Sequence, residues 1–80
     1  MLPSVHHPRY LIVRAHLRTL RKSAGLTQFD LATLLHVDQT YISKIERGQR
    51  YIDLLFYLDW CRACGVEPSA AVAALTKKGA

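Results

Sequence analysis

Gly25 and Gly48 bracket a stretch with room for little more than two short helices and a tight turn between them. Thr27 offers a hydroxyl to cap the first helix. Asp30, three residues on, completes a capping box in which Asp stands for the more usual Glu. That helix is expected over Gln28–Leu35, burying Leu31, Ala32 and Leu35. His36-Val37 supplies the turn and Asp38 a cap for the next helix. Ile42 and Ile45 fix the inner side of a helix from about Gln39 to Arg47, which should stop at Gly48, since a left-handed C-terminal cap favours glycine.

The rest of the chain has the same helical spacing and no strand-like alternation. Pro8 suits the first turn of a helix starting near Arg9, and Tyr10, Val13, Leu17 and Leu20 form its buried stripe, with Arg14, Arg18 and Lys22 on another face as a solvated row. His16 falls between the inward positions and is expected at the surface. Asp53 caps a fourth helix running to about Cys64, whose inward rows are Leu54, Leu58, Cys61 and Tyr57, Trp60, Cys64. Pro68 opens an Ala-rich fifth helix ending near Thr76. The expectation is one all-α domain of five helices over residues 9–76, with a flexible arm at 1–8 and a short tail at 77–80. No apolar run approaches the ~20 residues of a membrane helix, and the N-terminus lacks the pattern of a signal peptide, so a cytoplasmic protein is expected.

Two helices joined by a turn of about three residues are a helix-turn-helix, and the outer face of the second carries its chemistry. With Ile42 and Ile45 turned inward, Gln39, Thr40, Ser43, Lys44 and Arg47 point away, each with donors suited to base edges or phosphate oxygens. Charge agrees with such a partner. Residues 1–50 carry eight bases and three acids, and residues 51–80 three of each, so the whole formal charge of +5 lies in the first fifty residues.

From about Leu17 to Val66 the chain resembles the Xre/Cro/C1-type helix-turn-helix family of bacterial and phage transcriptional regulators. The resemblance rests on Leu20-Arg21, Gly25-Leu26-Thr27-Gln28, Leu31-Ala32, Gln39, Ile42-Ser43, Glu46, Gly48 and Gly65-Val66 in this order and spacing. It implies a lambda-repressor-like fold that binds double-stranded DNA, with Gln39, Thr40 and Lys44 reading bases in the major groove. It implies phosphate contacts from Gln28, Tyr41, Ser43, Arg47 and Arg50, with Gln28 also helping to position Gln39. Glu46 would pair with Arg21 as a structural link between the first helix and the recognition helix. The family usually has Gly where His36 stands, though His is among the residues enriched in left-handed conformations, and Ser or Thr where Asp38 stands.

These readings make the chain a repressor that gains affinity by homodimerising on a two-fold operator, with Val72, Leu75 and the outer face of the fourth helix as the interface. An antitoxin that neutralises a partner toxin and regulates its own operon is the alternative, and a redox-responsive regulator using the Cys61-x-x-Cys64 pair another. Free cysteine packs as a small hydrophobe, and both positions fall on the inner side of the fourth helix. Zinc would need two further ligands, and His6, His7, His16 and His36 lie far from the pair in sequence. No cofactor and no metal are expected. Nor is an enzyme: there is no phosphate-cradling Gly loop, no paired acid and base, and too little chain for a substrate cleft.

Overall fold

A computed structural model describes residues 7–80 as five helices: α1 (Pro8–Ser23), α2 (Gln28–Leu35), α3 (Gln39–Glu46), α4 (Leu54–Ala63) and α5 (Pro68–Lys77). The arm expected over residues 1–8 lies largely outside the described residues; of its last two, Pro8 opens α1 and His7 caps it, Nδ1 accepting from the Arg9 amide at 3.2 Å. The helix-turn-helix is the α2–α3 pair. It packs on α1 and α4, and α5 closes the bottom against α1 and α4.

The helix ends follow the local chemistry. Thr27 and Asp30 form the full capping box, the Thr27 hydroxyl accepting from the Asp30 amide and the Asp30 carboxylate from the Thr27 amide, both at 3.0 Å. Asp53 accepts from the Phe56 amide at 2.8 Å. Asp38 occupies the N-cap of α3 but makes no capping hydrogen bond, contrary to the sequence expectation. Its carboxylate is exposed instead. Glu67, which sequence reasoning passed over, caps α5 by accepting from the Ser69 and Ala70 amides. His36 takes the left-handed conformation that glycine would favour, with φ 57° and ψ 42°, a strain on the order of 1 kcal/mol for a residue with a Cβ.

The core joins Leu17 of α1, Leu31 and Ala32 of α2, Ile42 and Ile45 of α3, Tyr57, Trp60 and Cys61 of α4, Cys64 at the C-cap of α4, and Ala71 of α5. Leu35 and Leu58, expected inside, are only half-buried. Leu54 is 70% exposed. As the first residue of α4 it stands on the rim of an apolar groove lined by Val13, Ile52, Tyr57, Val72 and Leu75, where nothing covers it.

His16 is the clearest departure. It is buried rather than at the surface, with Nε2 2.9 Å from the Tyr57 hydroxyl and Nδ1 3.4 Å from the Lys78 ammonium. An ammonium can only donate, so Nδ1 holds the lone pair, and Nε2 carries the proton and donates to Tyr57. Burial, and then the Lys78 charge, hold the imidazole below its ordinary pKa. The folded protein therefore keeps His16 neutral, whereas the unfolded chain takes up a proton near pH 6.5. Stability from this site is full above that value and is lost as the pH falls through the lower folded value. Urea melts between pH 7 and 5 should show a falling midpoint, at most about 1.4 kcal/mol per pH unit from this one proton. His16→Gln should flatten that slope; an unchanged slope would place the acid sensitivity elsewhere.

Candidate nucleic-acid interface

The outer face of α3 is built by burying its inner one. Ile42 and Ile45 are sealed in the core, and the 3.6-residue repeat then leaves Gln39, Thr40, Lys44 and Arg47 exposed, with Ser43 and Tyr41 half-buried at the margins. An open concavity runs beside the helix, lined by His36, Val37, Asp38, Thr40, Tyr41, Lys44 and Arg50. Among these, Lys44 and Arg50 are cationic and Asp38 is the one acid.

The one acid within α3 itself is turned away. Glu46 is buried and holds Arg21 through two bonds, Nε to Oε2 at 2.7 Å and the second guanidinium nitrogen to Oε1 at 3.0 Å. Arg18 approaches Oε1 at 3.6 Å, and the Gln28 amide nitrogen donates to the same oxygen at 3.0 Å. Burial alone would push the Glu46 carboxyl up in pKa. The hydrogen bonds from Arg21 and Gln28 and the charges of Arg21 and Arg18 outweigh it and hold the group below its usual range. The carboxylate is thus ionised and neutralised inside the domain, where it does not oppose a polyanion on the outer face.

Several side chains stand elsewhere than their sequence neighbourhood suggests. Arg14 and Arg18, read as a solvated row, converge on the end of α3: Arg14 Nε donates to the Glu46 carbonyl at 3.1 Å, and Arg18 reaches the Glu46 carboxylate. The Arg14 guanidinium lies so close over Gly48 that a Cβ there would come within 2.6 Å of it. Gln28 spends one amide N–H on Glu46 rather than on Gln39, leaving the other for an outside acceptor. Arg50 lies beyond α3, yet its guanidinium carbon sits 4.5 Å above the centre of the Tyr41 ring, which places it on the same concave wall.

The two thiols face the core. Burial pushes both up in pKa, and the neighbouring Cys61 adds to the rise of Cys64 to about 11. Neither offers a reactive thiolate near neutral pH in the folded protein. Among the described residues there is no group of three or more His, Cys, Asp or Glu side chains that could hold a metal ion, and no helix long and apolar enough to cross a membrane.

The family model of the helix-turn-helix domain matches residues 13–75. The five-helix arrangement also superposes on an XRE-family like protein from Pseudomonas syringae pv. tomato str. DC3000, with TM-score 0.81 and 33% identity over 90% of this chain and 88% of that one. The chain belongs to the Xre-type helix-turn-helix family. It is also similar to the clp gene regulator ClgR from C. glutamicum, with TM-score 0.75 and 25% identity over 99% of this chain and 97% of that one. A hypothetical transcription factor, NHTF from Neisseria, aligns with TM-score 0.68 and 28% identity over 89% of this chain and 80% of that one. A comparison with curated proteins gives no match. The Xre-type frame gives α3 its meaning: it is the second helix of the motif, the element such domains lay into the major groove.

Proposed function

We propose that this Xre-type domain is a transcription regulator that binds double-stranded DNA and reads sequence with α3. The observation that carries this is the sorting of α3: donors outward, with its one acid buried and neutralised within. Gln39, Thr40 and Lys44 are assigned to base edges, where Gln suits adenine and Lys reaches guanine. Ser43, Arg47 and Arg50 are assigned to phosphates, with the remaining N–H of Gln28 beside them. Tyr41 belongs to the same face, its ring turned to Arg50. The protein acts as a homodimeric repressor on a two-fold operator, its half-sites about 34–36 Å apart. The apolar groove between α1, α4 and α5, with Val72, Leu75 and the exposed Leu54 and Leu55, supports that assembly.

Fluorescence anisotropy with duplexes tiling the DNA upstream of its own gene, at two salt concentrations, tests this reading. One duplex should bind far more tightly than the others. The Gln39→Ala/Lys44→Ala variant should lose that preference, by about 1–3 kcal/mol for each lost base contact, and keep weak, salt-sensitive binding. Equal binding of every duplex by wild type and variant, or none, would overturn sequence reading by α3 and favour a protein partner.

A further inference from the structure

The segment that follows α3 is held from two sides. From α1, the Tyr10 hydroxyl donates to the Arg50 carbonyl at 3.1 Å and accepts from the Ile52 amide at 2.9 Å, fixing the backbone that carries Arg50. From α3, the Tyr41 ring lies under the Arg50 guanidinium. Tyr41 in turn meets Phe56 edge-to-face at 5.2 Å, and Phe56 meets the buried Trp60 in the same way at 6.2 Å. A file of rings thus runs from the centre of the core to the surface and sets the plane on which Arg50 rests.

Building on the DNA-reading role above, we propose that Tyr41 is a positioning residue for Arg50 and that its ring, not its hydroxyl, serves DNA binding. Arg50 is directed by it at a backbone phosphate beside Thr40 and Lys44. A guanidinium stacked on an aromatic face keeps the N–H groups at its edge available, in the planar fork that suits two phosphate oxygens. A long side chain already laid in place also loses less conformational freedom when it binds. The ion pairs among the described residues both end on Glu46, so Arg50 has a ring for a neighbour and keeps its charge for an anion.

The test compares Tyr41→Phe, Tyr41→Leu, Arg50→Ala and the Tyr41→Leu/Arg50→Ala double variant on the duplex that wild type binds best. A DNA-free arm follows the Arg50 Nε–H proton by NMR, because a ring beneath the guanidinium shifts it upfield. Tyr41→Phe should keep both wild-type affinity and the shifted signal. Tyr41→Leu should lose the shift and weaken binding about two- to five-fold, the range of an exposed cation–π contact. Arg50→Ala should flatten the log–log salt dependence by about 0.9, one phosphate contact, and Tyr41→Leu should add nothing on that background. Equal losses in Tyr41→Phe and Tyr41→Leu would assign the contact to the hydroxyl and overturn the proposal, as would additive losses in the double variant. An unshifted Arg50 proton in wild type would refute the pairing whatever the DNA result. A shifted proton with no binding to any duplex would instead remove the DNA-reading role, and the positioning role with it.

Discussion

Glu46→Ala is expected to destabilise the domain by about 3–5 kcal/mol, because it leaves the Arg21 guanidinium buried without its counter-charge. A domain of 80 residues has on the order of 4–12 kcal/mol in total, so the loss takes a large share of it and should move the urea midpoint far down. The cost lies in the orphaned charge rather than in any large net gain from the pair. For that reason Arg21→Met/Glu46→Leu, which removes both charges and keeps the volume, should recover most of the loss. Urea denaturation followed by circular dichroism gives the comparison. A loss below about 1 kcal/mol in Glu46→Ala would mean that water reaches Arg21 and that the brace between α1 and α3 is an ordinary surface pair. The pH sign follows from the depressed carboxyl: its stabilisation is present above the ordinary carboxylate pKa and is lost as the pH falls through the folded value.

Trp60→Ala should cost about as much, roughly 3–5 kcal/mol, by a different route. Trp60 of α4 is completely buried in the common core, and its indole N–H donates to the Leu17 carbonyl of α1 at 3.1 Å. Truncation leaves a cavity among residues held on several helices, which cannot collapse into it together. Trp60→Phe keeps most of the apolar area and gives up the N–H bond, so about 1–2 kcal/mol is expected from it. Trp60 is the single tryptophan of the chain, so circular dichroism rather than intrinsic fluorescence must follow both variants. A Trp60→Ala protein as stable as wild type would show that α4 does not hold the helix-turn-helix in place.

Features whose partners lie nearby in the chain were legible before the structure. The capping box at Thr27 and Asp30, the bounds of α2 and the inward turn of Ile42 and Ile45 each depend on a few neighbouring residues. The outer face of α3 follows as the complement of the inner one. What escaped depends on partners far along the chain. His16 is three residues after Val13 and four before Leu20, a spacing that admits burial, but its reason to be inside is Tyr57 and Lys78, 41 and 62 residues away. Arg14 and Arg18 look like a solvated row until α3 arrives beside them with the Glu46 carbonyl and carboxylate. The placement of Arg50 against Tyr41 likewise requires the loop after α3 to fold back, which the Tyr10 hydroxyl secures from α1.

Sealing Cys61 and Cys64 into the base of the core has a consequence for how the fold's breathing can be read. A thiol-specific reagent meets neither an accessible sulfur nor an appreciable thiolate in the closed protein. Opening around α4 and α5 restores both at once. With enough reagent that each opening ends in reaction, the speed of modification is set by how often that half of the molecule comes apart, not by the intrinsic appetite of either sulfur. The two cysteines make the chain its own clock of local unfolding.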